Sequence, residues 1–184
     1  KGALRLEIRL QGKAGHSAYP EAGASAIHAA ADLITRLEKT IAALPPCPDA
    51  ELGGVTLNIG KIEGGDQVNR IADLAVLHVD LRLPPGVERE DILTTVDHVI
   101  QEIHRSRSGI WVTNRVTQYY PPYKMKDCPV FSALTPPLFH TTGGESKKAR
   151  YATNAGFFAQ AGIPCLIIGP GSVAQAHTAN EWID

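Results

Sequence analysis

The sequence predicts an α+β fold in which a ferredoxin-like βαββαβ domain is followed by a partial α/β segment. Two patterns in the first 118 residues support this prediction. Apolar residues alternate with polar ones in several short runs, and in two longer runs they recur every three or four residues. The order of these runs matches the split-βαβ sandwich, which places two helices on one face of a four-stranded antiparallel sheet. The third observation is a wholly apolar run near the end of the chain, which is typical of a strand buried in a parallel sheet.

The elements of the first domain follow from these periods and from the residues that end them. In chain order, the predicted elements are a strand at 3–10, a helix at 22–44, strands at 55–62 and 71–83, a helix at 88–105 and a strand that begins at 110–113. The first helix ends before Pro45, because a proline disfavours helical backbone in the residue that precedes it. Acidic residues open the second helix and basic residues close it, which suits the helix dipole.

A domain boundary is predicted where the composition shifts, which gives a first domain at 1–118 and a second segment at 119–184. The elements predicted in the second segment are a helix at 128–140 that Pro136 and Pro137 break or bound, a helix at 153–161 that ends at Gly162, and a buried strand at 164–168. A strand buried on both faces needs neighbours that the segment does not supply. We therefore expect both ends of the chain to be cut and the segment to belong to a larger α/β domain.

Composition and charge exclude several classes of function. The 18 basic and 19 acidic residues give a formal charge of −1, so neither nucleic acid nor an anionic membrane is an expected partner. Apolar runs fall short of the roughly 18 residues that a membrane-spanning helix needs. Three well-separated cysteines, with no CxxC pair, argue against a disulfide framework and a thiolate zinc site. The expected location is the cytoplasm.

Two histidines are candidates for chemistry. His177 follows the apolar run and a Gly-Pro-Gly turn, at the predicted carboxyl end of a strand, where open α/β sheets bind ligands. It is a candidate metal ligand, and the alternative is a loop histidine that hydrogen-bonds locally. His16 comes soon after the first strand, and its alternative is an ordinary turn residue.

Two polar residues of the first domain are weaker candidates. Asn69 follows a pair of glycines, and its alternative role is turn chemistry, since asparagine tolerates left-handed backbone. Arg82 shares a strand face with His78 and Asp80, and the alternative for this set is a group of cross-strand salt bridges on a solvated surface.

Several motifs together resemble one enzyme family. They are GHSAYP at 15–20, TLNIG at 56–60 with GGDQVNRI at 64–71, DLR at 80–82, and GPGS at 169–172 through AHTANE at 176–181. Their order and spacing are similar to those of the dinuclear-zinc aminoacylase and carboxypeptidase family, which includes acetylornithine deacetylase and succinyl-diaminopimelate desuccinylase. The residues of these motifs are most similar to those of the acetylornithine deacetylase type.

The resemblance implies a lid and dimerisation domain joined to the C-terminal part of a metal-binding catalytic domain. It implies a homodimer that deacylates N-acyl amino acids with two zinc ions in each active site, with cobalt or manganese as alternatives. His177 matches the family's late zinc ligand, and His16 matches the lid histidine that reaches a neighbouring subunit's active site and holds the developing oxyanion. Asn69 and Arg82 match lid residues that bind the carboxylate or carbonyl region of the substrate.

The chain also departs from the family pattern. The family's His-x-Asp ligand motif and Glu-Glu catalytic pair precede the lid, and neither stands before the lid in this sequence. Asn154 stands where the family usually has an acidic residue. The 184-residue chain is therefore expected to be inactive by itself. Two alternatives remain open: a non-catalytic, self-associating ferredoxin-like module, and a regulatory domain that binds a small molecule.

Overall fold

The predicted α+β class is confirmed by the computed structural model, which describes residues 1–125, 128–142, 148–169, 175, 179–180 and 182. The strands of the main sheet are β1 (Gly2–Gln11), β3 (Thr56–Gly64), β5 (Leu74–Leu83) and β6 (Trp111–Tyr120). The two long helices are α1 (Ala26–Ala42) and α2 (Arg89–Ser106). A separate two-stranded ladder joins β2 (Gly15–His16) to β4 (Arg70–Ile71).

The main sheet has the strand order β3-β5-β1-β6, and every neighbouring pair is antiparallel. This order leaves β1 and β5 in the centre and makes β3 and β6 the edges. It is the order that the split-βαβ pattern predicts, because each helix crosses over one strand before the chain returns to the sheet. In the central pair, Gly2 lies opposite Leu83 and Gln11 lies opposite Leu74, so β1 and β5 run side by side over their whole length.

The core lies between one face of the sheet and the two long helices. Alternation in the central strands turns every second side chain toward the helices. The largest fully buried strand side chains are Leu4, Leu6, Ile8, Leu10, Leu77, Leu81 and Leu83. The buried residues of α1 that face the sheet are Ala26, Ala29, Ala30, Leu33, Leu37 and Ile41. The Ser25 side chain caps α1 by accepting a hydrogen bond from the backbone N–H of His28 at 3.2 Å, so the helix begins four residues later than the period alone predicts.

The opposite face of the sheet carries charged side chains instead of helices. Arg115 of β6 donates two hydrogen bonds to Glu7 of β1, at 2.9 and 2.7 Å. These bonds hold the pKa of the Glu7 carboxyl below its usual range. On β3, a hydrogen bond from Lys61 lowers the pKa of the Glu63 carboxyl. Ion pairs between strands and along single strands therefore organise this face.

The second segment differs from its prediction in two places. A helix, α3 (Pro129–Thr142), continues through Pro136 and Pro137 although each proline removes one helical N–H donor. A second helix, α4 (Ala155–Gln160), agrees with the helix expected at 153–161. The strand expected at 164–168 is wrong, since these residues pair with no strand in the described part of the chain. A parallel strand forms only beside another strand, and an apolar run does not supply that neighbour.

Direct contacts join the second segment to the end of the ferredoxin-like domain. The guanidinium of Arg150 donates two hydrogen bonds to the carbonyl oxygen of Glu51, at 2.9 and 2.7 Å. The N-terminal ammonium group of Lys1 donates a hydrogen bond to the carbonyl oxygen of Ala149 at 2.8 Å. The strand β6 runs two residues past the predicted boundary at 118, and the division into 1–118 and 119–184 stays a prediction. Across the described ranges, no helix combines the length and the apolarity that a membrane crossing requires.

One ion pair between the helices predicts a pH dependence of stability. Arg107 donates to Asp32 of α1 at 2.6 Å and lowers the pKa of that carboxyl. A lowered folded-state pKa stabilises the protein above the unfolded value of 3.8, and this contribution disappears as the pH falls through the folded value. We expect Asp32→Asn to cost up to about 1 kcal/mol in the free energy of unfolding at neutral pH, since the pair is exposed, and less at about pH 3, which lies below the unfolded value.

Urea unfolding at both pH values measures this difference. Glu38→Gln is the control, because it removes another exposed carboxylate from the same helix. A cost of Asp32→Asn that is equal at both pH values would contradict the prediction.

Candidate functional site

His16 and Asn69 line the same hollow at one end of the ferredoxin-like domain. The short ladder pairs His16 with Arg70, and the backbone N–H of Ser17 donates to the carbonyl oxygen of Asn69 at 3.0 Å. The hollow is open to solvent and has a volume of about 390 Å³. Its lining consists of Ala14, Gly15, His16, Gln67, Asn69 and Arg70. Residues separated by about fifty positions in the sequence therefore present polar groups to one ligand-sized space.

Small residues and ion pairs hold the two sides of this hollow together. Gly12 lies against the chain that returns from the hollow, where a Cβ would be 2.1 Å from the carbonyl oxygen of Ala24. On the other side, the guanidinium of Arg70 contacts the carboxylates of Asp66 and Asp73. Arg70 thus closes the turn that carries Asn69. Asn69 can therefore stabilise the backbone of the turn and line the hollow at the same time.

The hydrogen bonding of His16 determines which ring nitrogen can act as a donor. The backbone N–H of Ala18 donates to Nδ1 of His16 at 3.1 Å. In the neutral ring, a nitrogen that accepts a hydrogen bond carries no proton, so the proton lies on Nε2. The side chain is exposed, and Tyr19 contacts its ring edge-on with 6.1 Å between centroids. His16 therefore offers an Nε2–H donor, which suits a developing negative charge on a substrate oxygen.

Arg82 lies at the opposite end of the domain. It is eight residues along β5 from Leu74, which places it about 27 Å from the end that carries the hollow. Its guanidinium donates from Nε to the Oδ2 atom of Asp80 at 2.9 Å, and its Nη2 atom forms an ion pair with the same oxygen at 2.7 Å. The structure thus brings His16 and Asn69 together and leaves Arg82 too far away to share one small ligand with them in the same protomer.

The fourth predicted residue, His177, lies outside the described residues. Among the described residues, no group of three or more histidine, cysteine, aspartate or glutamate side chains could hold a metal ion. The described part of the chain does not by itself fit the zinc site that the family resemblance implies. The role of His177 stays a prediction.

Sequence reasoning noted Asp80 and Arg70 within the motifs but gave neither residue a role at these two ends. Alternation in β5 does place Asp80 and Arg82 on one face, but it does not say which partner each side chain selects. Nothing in the sequence signals the ladder that pairs Arg70 with His16, because two-residue strands carry no period.

The fold and these two polar ends define a class of protein: ferredoxin-like domains that present polar groups at both ends of a sheet. The family model described as "Peptidase dimerisation domain" matches residues 1–108, and the chain belongs to that family. The prediction of this family from the sequence motifs is confirmed. The matched residues include every element from β1 through α2, and β6 completes the sheet.

Curated relatives point to one type of enzyme. The chain is 32% identical over 187 residues to the acetylornithine deacetylase of Pectobacterium carotovorum subsp. carotovorum, covering 100% of this chain and 48% of the relative. It is 34% identical over 189 residues to the acetylornithine deacetylase of Erwinia tasmaniensis, with the same coverage of 100% and 48%. The chain thus spans about half the length of the curated relatives it matches.

Solved structures agree on the fold. A tripeptidase from Staphylococcus aureus superimposes with a TM-score of 0.65 at 24% identity, covering 89% of this chain and 42% of the tripeptidase. A hydantoinase/carbamoylase family amidase from Burkholderia vietnamiensis has a TM-score of 0.69 at 16% identity, with coverage of 86% and 37%. At these identities the likeness establishes the fold alone.

Proposed function

We propose that this chain is the lid, with part of the catalytic domain, of a homodimeric amidohydrolase that removes the acyl group from N-acyl amino acids. The observation that carries the proposal is the separation of His16 and Asn69 from Arg82 at the two ends of one domain. The names of the curated relatives support N-acetylornithine as the first substrate to test.

Edge pairing of two copies accounts for the separation of the two ends. The strand β3 is an edge of the sheet, and an unpaired edge is a template for another strand. Two identical strands related by a two-fold axis pair in antiparallel fashion, so the Gly64 end of one β3 lies beside the Thr56 end of the other. Thr56 is the cross-strand neighbour of Arg82, and Gly64 is the neighbour of Ala75, at the end that carries the hollow. The pairing therefore brings His16 of one copy toward Arg82 of the other.

The residues at the two ends suit the two halves of the substrate. The guanidinium of Arg82 binds the carboxylate of the amino acid, since arginine matches the planar, two-oxygen shape of that group. The Nε2–H group of His16 donates to the carbonyl oxygen of the acyl group as negative charge develops there. Asn69 orients the same carbonyl region. Any metal ions that the family resemblance implies are held by residues outside the described set.

The test is hydrolysis by the full-length protein that carries this chain. We expect N-acetylornithine and water to yield acetate and ornithine, which a primary-amine assay detects. Other N-acetyl and N-succinyl amino acids in the same assay define the accepted acyl group. The 184-residue chain is the control, and no turnover is expected from it because it lacks the family's His-x-Asp and Glu-Glu motifs ahead of the lid. Failure of the full-length protein to hydrolyse any of these amides would contradict the proposal.

Self-association through the β3 edge gives a second prediction. Ile62 of β3 is 53% exposed and faces the same side of the sheet as α1, where Ile27 is 39% exposed. Apolar side chains beside an open edge are buried when a second copy pairs there. We expect Ile62→Glu to convert a dimer to a monomer at tens of micromolar, because a charge would then be buried without a partner.

Size-exclusion chromatography with light scattering measures this change. Val116→Glu is the matched control, since Val116 is 41% exposed on the opposite edge strand β6. We expect the control to remain dimeric. A monomeric wild-type chain at the same concentration would count against the edge pairing.

A further inference from the structure

We propose that Asp80 is a positioning residue, which fixes the guanidinium of Arg82 so that one edge of it is presented to the carboxylate of the substrate. The inference rests on the proposed role of Arg82 and adds a determinant of specificity to it. Asp80 does not touch the substrate in this proposal. It sets the preference of the enzyme for amides that carry a free carboxylate.

The contacts of Arg82 divide its guanidinium into an occupied edge and a free edge. The Oδ2 atom of Asp80 accepts a hydrogen bond from Nε at 2.9 Å, and Nη2 lies 2.7 Å from the same oxygen as an ion pair. These two nitrogen atoms form the side edge of the guanidinium plane. The end edge consists of Nη1 and the second hydrogen of Nη2, and no hydrogen bond from a described residue reaches Nη1. The free edge has the two parallel N–H groups that bind a carboxylate in bidentate fashion.

A second guanidinium holds Asp80 from its other side. The Nε atom of Arg5 lies 3.5 Å from Oδ1 of Asp80, in the cross-strand pair that joins β1 to β5. Nη1 of Arg5 in turn donates to Oε1 of Gln118 on β6 at 2.6 Å. The Oδ1 atom is buried and accepts no hydrogen bond from any described residue. The Asp80 carboxylate therefore lies between two guanidinium groups, that of Arg5 on β1 and that of Arg82 on its own strand, and it can orient Arg82 from this half-buried position.

Fixing the arginine in advance matters because its side chain is long and has many rotamers. A free arginine loses that freedom when it binds a ligand, and the loss opposes binding. Asp80 and Arg82 are side by side on one strand face, with side chains 25% and 29% exposed. The hydrogen bond and the ion pair between them remove part of the freedom before the substrate arrives. A substrate without a carboxylate gains nothing from this arrangement.

A pair of substrates tests the inference in the full-length protein. An N-acetyl amino acid and its carboxamide differ only in the group that Arg82 is proposed to bind. We expect Asp80→Ala to lower the acid-to-carboxamide ratio of kcat/KM roughly tenfold, through a higher KM for the acid. Asp80→Asn is expected to lower the ratio less, because its amide oxygen can still accept the hydrogen bond from Nε. The ratio is measured on one preparation, so partial misfolding of a variant cancels.

Control variants separate the two proposals. Glu7→Gln removes a carboxylate that pairs with Arg115 on the same sheet face and has a similar exposure of 23%, and it should leave the ratio unchanged. Arg82→Ala should lower the ratio at least as much as Asp80→Ala. Equal losses on both substrates in Arg82→Ala would overturn the proposed role of Arg82 and the inference with it. A lowered ratio in Arg82→Ala together with an unchanged ratio in Asp80→Ala would overturn the positioning role alone.

Discussion

Replacing His16 with alanine is expected to lower the turnover of the full-length protein about 100- to 1,000-fold, roughly 3–4 kcal/mol in the barrier. The Nδ1 atom of His16 is already engaged by the backbone of Ala18, so the Nε2–H group is the donor that the substitution removes. The loss should fall on kcat, because the negative charge on the carbonyl oxygen develops in the transition state. The metal content should not change. His98→Ala is the control, since His98 is exposed on α2.

Subunit mixing tests whether His16 acts across the dimer. Chains of the impaired His16→Ala variant and chains of the impaired Arg82→Ala variant are combined under conditions that allow exchange. Random exchange makes half of the dimers mixed, and each mixed dimer contains one site with an intact Arg82 and an intact partner histidine, so activity should recover to about a quarter of wild type. If His16 acts on the site of its own chain, each site lacks one of the two groups and verified heterodimers stay impaired. That outcome would also contradict the edge pairing of β3.

The sequence predicts most of the ferredoxin-like domain because its elements have clear periods. Strand alternation is visible in residues 3–10 and 71–83, and the stripe of α1 is visible in its alanines and leucines. The sandwich follows from the order of these elements, since few ways exist to cover one face of such a sheet. The ends of the elements depend on capping contacts such as that of Ser25, and these shift the boundaries by a few residues.

The geometry of the candidate site depends on contacts that the hydrophobic periodicity of the sequence does not predict. The pairing of His16 with Arg70 links two loops across about fifty residues, and it needs only two residues from each. The distance between His16 and Arg82 can be estimated only once the pairing register of the strands is known. The family resemblance assigns His16 to the active site of a neighbouring subunit, and the structure puts His16 and Arg82 at opposite ends of the domain within one protomer. The strand at 164–168 failed for a related reason, because an apolar run does not specify its neighbour.

The second large effect is expected for His177→Ala. The family resemblance makes His177 a metal ligand, and a catalytic zinc ion has about three protein ligands. Removing one of three should weaken metal binding far more than the 10- to 100-fold that the loss of an outer hydrogen-bonding partner costs. We expect the purified full-length variant to contain less metal per chain than wild type and to lose its amidohydrolase activity, with partial recovery when excess zinc is added.

Metal analysis alongside activity distinguishes this role from that of His16. His140→Ala is the matched control, because His140 is another histidine of the second segment, on α3, and it should keep both metal and activity. In His16→Ala the activity falls while the metal stays, and in His177→Ala the two fall together. Because the readout of bound metal does not depend on turnover, it remains informative even when both variants are inactive. A His177→Ala protein with the full wild-type metal content would show that the ligand has been assigned to the wrong histidine.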